Sequence, residues 1–123
     1  SPVSETDLET LVADWLTVPD LAEALGLPLS AVRQLITDRE LIAHRITERN
    51  VIAVPAAFIS EGAIRSDLRG TFTVLGDGGM NDEEILRWLF TPEATLPDGV
   101  SPMGALQAGH KTEIRRRAAE AAF

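Results

Sequence analysis

A mainly α protein with one small β-hairpin is predicted by three observations. Two short apolar stripes at helical spacing flank a glycine between Thr17 and Leu41. The pattern then changes to the β-rich alternation of a hairpin between Ala43 and Val54, and from Ser60 helical spacing returns and holds to the C-terminus.

The elements follow in order. Residues 1–7 are polar and are expected to be flexible. Leu8, Leu11, Val12, Trp15 and Leu16 recur at helical intervals, which predicts a short first helix running through Trp15. Thr17 can cap the next helix, with Pro19 tolerated in its first turn and Asp20 three residues after the cap, where its charge meets the positive end of the helix dipole. Leu21, Ala24 and Leu25 give that helix one apolar face, and Gly26 ends it by allowing a left-handed backbone. Ser30 is read as the cap of a third helix, in which Val32, Leu35 and Ile36 repeat the spacing down to Leu41. The opposite face of this helix carries Arg33, Gln34, Thr37 and Asp38. Ala43, Arg45 and Thr47 alternate with His44 and Ile46, a turn at Glu48 to Asn50 follows, and Val51 to Val54 supply the second strand until Pro55 stops it.

Helices around a turn followed by a two-stranded wing outline a winged helix-turn-helix over residues 8–59. Side chains near the start of a recognition helix reach base edges in the major groove. Ser30, Arg33, Gln34 and Thr37 are therefore the candidate groove contacts, and Arg45 and Arg49 the candidate wing contacts to phosphates or the minor groove.

Residues 60–123 read as a C-terminal helical domain. Ile64, Leu68 and Phe72 are spaced by four and lead into the glycine-bearing loop Leu75 to Gly79. Asn81 caps the following helix with Glu84 at the capping-box position, and Ile85, Leu86, Trp88 and Leu89 form a broad apolar face. A proline-rich crossing follows, and one final helix is expected from Pro102 to Ala122, with Leu106 and Ile114 inward and Arg115, Arg116 and Arg117 near its C-terminal end.

Composition bounds the function. The 123 residues are 45% apolar, enough for one compact core or two small ones. No apolar run is long enough to span a membrane and the first residues lack a signal-peptide pattern, so residence in the cytoplasm, at the nucleoid, is expected. The absence of cysteine excludes disulfides, thiolate metal sites and Cys nucleophiles. A net charge of -8 runs against the usual basic excess of nucleic-acid binders. Its distribution is uneven. Residues 1–28 hold six acids and no Lys or Arg, and residues 61–123 hold seven bases against ten acids. Residues 29–60 hold four arginines against three acids, so the reading surface alone has a basic balance. Four arginines imply weak, salt-sensitive binding unless two copies act together.

The block TVLGDGGMNDEEILRWLFTPEATLPDGVSPMGALQAGHKTEIRRRAAEAAF, with the VPAAFI before it, resembles the actinobacterial winged helix-turn-helix DNA-binding protein family known as substrates of the serine/threonine kinase PknL. The resemblance spans roughly residues 16–123, and Asp77 through Pro92 is its most specific run. It implies a helical core with a small wing, double-stranded DNA as partner, and phosphorylation of an N-terminal threonine that weakens DNA binding. Thr6 and Thr10 are the threonines of that region. The shorter pattern RWLFTP, Leu96, Gly99, Ser101-Pro102 and Leu106 is similar to the toxin-binding domain of Xre/MbcA/ParS-type antitoxins. That likeness implies a second half that joins copies of the chain or engages another protein.

Other constellations have plainer readings. LGDGGM lacks the Lys-Ser/Thr of a phosphate-binding loop and reads as a turn. His44 and His110 lie far apart with no third ligand, so no metal site or cofactor is expected and both are read as surface or wing residues. Asp82, Glu83 and Glu84 suit a helix start, and Trp88 is assigned to the core. Arg115 to Arg117 fit DNA contact and simple helix-end stabilisation about equally. No nucleophile, base and orienter combination supports an enzyme. The sequence thus points to a DNA-binding regulator or nucleoid-associated protein, with a protein-interaction module on a winged-helix scaffold as the alternative.

Overall fold

The computed structural model describes residues 7–123. Among them are seven α-helices and five short strands. The N-terminal half runs α1 (Leu8–Val12), β1 (Trp15–Thr17), α2 (Val18–Leu25), α3 (Leu29–Thr37), β2 (His44–Ile46) and β3 (Val51–Pro55). That order, with β3 between β1 and β2 in an antiparallel sheet, is a winged helix-turn-helix.

Local chemistry explains most of it. Thr17 caps α2 with a full capping box: its hydroxyl accepts from the Asp20 N–H and the Asp20 carboxylate accepts from the Thr17 N–H at 3.2 Å. Gly26 closes α2 at φ 67°. Leu21 and Val32 are fully buried and weld α2 to α3, with Leu41, Ile42 and Val54 beneath them.

Two expectations fail here. Trp15 and Leu16 are not helical; they pair with Pro55 and Val54 and make β1 the third strand of the sheet. Ala13 diverts the chain, at φ 72° and ψ -62°, in a γ-turn closed by the Asp14 N–H on the Val12 carbonyl at 2.9 Å. Edge pairing with β3 satisfies backbone groups that an isolated extra helical turn would leave to water. Ser30 is not a cap either. The cap position of α3 is Pro28, which offers no side-chain acceptor, and Ser30 lies exposed in the first turn.

A 3-10 turn (Ala56–Phe58) and a small hairpin, β4 (Ile59–Ser60) with β5 (Ala63–Ile64), lead into the helical half. Ile64 therefore sits in a strand and not on the helix with Leu68 and Phe72. The remaining helices are α4 (Arg69–Asp77), α5 (Asp82–Phe90), α6 (Pro102–Gln107) and α7 (Lys111–Ala122), with a 3-10 turn at Pro97–Gly99. The glycine-bearing loop is shorter than expected: Leu75, Gly76 and Asp77 close α4, and only Gly78 and Gly79 turn. Asn81 and Glu84 form the expected capping box of α5, with both bonds at 2.9 Å. The single final helix is interrupted at Ala108 to His110, where Gly109 at φ 95° lets α7 set off on a new axis.

One apolar cluster runs through both halves. Phe58 is the junction, fully buried, with ring centroids 5.3 Å from Phe72 and 5.9 Å from Phe90. Arg65 adds a polar staple: it grips Asp67 with two bonds and donates to the Leu106 carbonyl at 2.9 Å. Trp88 is half-buried at the cluster's edge, not within it. It borders a shallow groove with Pro92, Leu96 and Pro102.

Candidate nucleic-acid interface

Helix α3 turns Val32 inward, keeps Leu35 and Ile36 half-buried, and presents Ser30, Arg33, Gln34 and Thr37 together on one exposed face. Their states differ. Gln34 donates to the Asp38 carboxylate at 2.9 Å, and the Thr37 hydroxyl donates back to the Arg33 carbonyl at 3.1 Å. The Arg33 guanidinium has no hydrogen bond or ion pair to any described residue. Arg33 can engage a phosphate or guanine edge at once, whereas Gln34 must first give up Asp38. Because Pro28 supplies no side-chain cap, the Leu29 and Ser30 N–H groups at the positive end of α3 have no partner among the described residues.

Leu29 is a residue that the spacing hides. It stands three before Val32, as a core residue would, yet it is 42% exposed at the first position of α3. An apolar side chain there can meet a thymine methyl in the groove.

The wing is braced from two sides. Across the hairpin end, the exposed Arg45 donates to the Asn50 side-chain oxygen at 3.1 Å, and Asn50 holds the left-handed backbone of the turn at φ 50°. From below, the Glu9 carboxylate on α1 accepts from the Thr47 N–H at 3.2 Å and its hydroxyl at 3.0 Å. His44, half-buried rather than free on the surface, lies against Trp15 with ring centroids 5.7 Å apart, and the Trp15 indole donates to the Glu9 carbonyl. Arg49 stands at the exposed tip without a partner among the described residues. The wing is therefore tied to α1 and β1 while its tip cation stays available.

Beside this surface a cleft of about 890 Å³ separates β2 and the end of α3 from α4 and the start of α5. Arg39, at φ 60° just past α3, spans it to Asp82 at 2.6 Å. The pair is about half exposed on both sides, so it registers the two halves more than it stabilises them.

Of the two N-terminal threonines, Thr10 is exposed on α1, next to Glu9. Thr6 lies outside the described residues.

The arginines of α7 divide. Arg116 pairs with Glu113 and with Glu120, the latter at 2.8 Å. Arg117 donates to Glu113 at 2.6 Å and to Thr95. Hydrogen bonding by Arg117, and then by Arg116, holds the Glu113 carboxyl below its ordinary range, and Glu113 in turn raises Arg116.

This arrangement has counterparts among known proteins. Residues 2–59 match the profile of the wHTH domain of DNA-binding protein Rv2175c, and residues 66–122 match that of the Rv2175c C-terminal domain of unknown function. The DNA-binding protein Rv2175c of Mycobacterium tuberculosis (strain ATCC 25618 / H37Rv) is 38% identical, over 86% of this chain and 79% of that one. The chain belongs to the Rv2175c family. An NMR structure of Rv2175c superposes with a TM-score of 0.82 at 34% identity, covering 89% of this chain and 82% of that chain. The winged helix with an appended helical unit is thus the architecture of an Rv2175c-type protein, as the sequence resemblance implied. No helix among the described residues is long and apolar enough to cross a membrane.

Proposed function

We propose that this chain binds double-stranded DNA through its winged helix, as a non-enzymatic transcriptional regulator or nucleoid-associated factor of the cytoplasm. The observation that carries the reading is the outer face of α3, where Arg33 is exposed and has no partner among the described residues, beside Ser30, Gln34 and Thr37. The similarity to the DNA-binding protein Rv2175c of Mycobacterium tuberculosis supports it. In this reading α3 enters the major groove, Arg45 and Arg49 lie along the flanking backbone, and the acidic remainder of the chain keeps affinity modest.

Thr10 offers the point of control. A phosphate there would add about -1.5 to -2 charges one residue from Glu9, which anchors the wing, and would repel DNA. A Ser/Thr kinase acting on Thr10 or Thr6 would then weaken binding. The half-buried Trp88 and its groove give residues 60–123 a surface for a protein partner or a second copy.

Fluorescence anisotropy of labelled random and promoter duplexes at about 50 and about 200 mM salt tests the reading, since phosphate contacts weaken steeply over that range. Replacing both Arg33 and Arg45 by Ala is expected to cost about 1–3 kcal/mol for each lost contact and to flatten the salt dependence. Equal binding by parent and double variant would remove this surface from consideration.

A further inference from the structure

The four basic residues of α7 fall into two pairs with opposite fates. Arg116 and Arg117 are consumed by Glu113, Glu120 and Thr95. Lys111 and Arg115 are exposed, one turn apart, and make no hydrogen bond or ion pair to any described residue. Four residues of helix separate them by about 6 Å along the axis.

Arg115 is placed by a glycine. Its guanidinium lies across Gly70 in the first turn of α4, where a Cβ would come within 2.5 Å of Nη2 and 2.6 Å of Cζ. The missing side chain lets the guanidinium settle next in sequence to Arg69, whose own side chain is 72% exposed. The ion partner of Arg69 is Glu40 at 3.9 Å, the outer limit of a contact. Three cations thus gather on one rim with weak internal neutralisation. Asp67, the nearest acid before α4 in the chain, is already held by both arms of Arg65, and Glu113 is engaged with Arg116 and Arg117.

At Arg69 this rim meets the cleft beside the reading surface, whose lining also holds Asp38, Asp77, Glu83 and the Arg39-bound Asp82. Glu40 follows the end of α3, and Arg69 lines the same cleft as Arg39 and Arg45. The flanking positions Ser66, Gly70 and Thr112 are small, so the rim lacks the buried aromatic or aliphatic anchor of a protein interface. Exposed cations without apolar company are what a phosphate backbone takes.

We infer that Arg69, Arg115 and Lys111 form a second, sequence-independent contact to the phosphate backbone of the duplex held by the winged helix. The inference rests on the DNA-binding reading above and gives the C-terminal unit a part in it. The unit lengthens the footprint without reading bases, which compensates for the few cations on α3 and the wing.

The test compares parent, the Lys111→Ala/Arg115→Ala double variant and Arg115→Lys on random and preferred duplexes, at about 50 and about 200 mM salt. Removing two phosphate contacts should lower the log–log salt slope by about 1.8, so the parent's advantage shrinks roughly tenfold across that range. The loss should be equal for random and preferred sequences, because phosphates carry no base information. Arg115→Lys should keep the parent slope. Thermal melts show whether Arg115→Ala disturbs α4; should it do so, Lys111→Ala alone, on an unpartnered side chain, should lower the slope by about 0.9. A parent that binds while these variants keep its full slope overturns the second contact and leaves the winged-helix reading standing. A parent that binds at neither salt overturns both.

Discussion

Helix α3 carries one basic residue, Arg33, and α7 carries four, and the two helices use them differently. On α3 the Arg33 guanidinium has no partner among the described residues, while on α7 Arg116 and Arg117 are locked into a carboxylate network. Helix α3 is buried through one narrow stripe, whereas α7 lies along α4 so closely that Gly78 touches the backbone of Ala122. The contrast teaches that a count of arginines does not locate a nucleic-acid surface. What matters is which cations have been neutralised by the protein itself, because a cation already paired releases little when it meets a phosphate.

The largest stability effect should fall on the α4–α7 contact. A Cβ at Gly78 would stand 2.4 Å from the Ala122 Cβ and 2.5 Å from its Cα, so Gly78→Ala must displace α7. A loss of about 1–3 kcal/mol is expected in a denaturant titration, the range of overpacking. Gly70→Ala meets only the flexible tip of Arg115 and should cost clearly less. Equal costs would mean that α7 is not seated as described.

In the winged half the sensitive point is a strained turn. Ala13 holds a γ-turn conformation that L residues seldom adopt, so Ala13→Gly should raise stability by up to about 1 kcal/mol, seen as a higher melting temperature. The wing and α3 should keep their DNA affinity in that variant.

The smallest effect sharpens the contrast directly. Glu113→Gln removes the carboxylate that Arg116 and Arg117 share, leaving Arg116 with Glu120 and Arg117 with Thr95, and low-salt DNA affinity should rise slightly if pairing is what silences them. The folded Glu113 has a depressed pKa, so its stabilising share is full above the ordinary carboxylate value and disappears as pH falls through the lowered one. Glu113→Gln should therefore melt slightly below the parent near neutral pH and coincide with it in strong acid. A gap that widens with acid would contradict the assigned pairing.

How legible all this was varies by element. The caps of α2 and α5 could be read because a capping box is a local reciprocal bond between residues three apart. Trp15 and Leu16 misled because their spacing suits a helix, and only the β3 edge, forty residues away, makes them a strand. Ser30 looked like a cap because the residue type is right; Pro28 took the position and began α3 earlier. Leu29 had the spacing of the core and proved exposed, while Trp88 had the residue type of the core and proved half-exposed.

By itself the sequence determined the caps of α2 and α5, the Gly26 turn, the wing hairpin and the outward face of α3, since each is decided within a few residues by hydrogen bonding and apolar spacing. Only the tertiary structure decided the third strand of the sheet, the break between α6 and α7, and the single core joined through Phe58. It also decided which arginines are free, because pairing across a fold depends on distances in space that residue order does not encode.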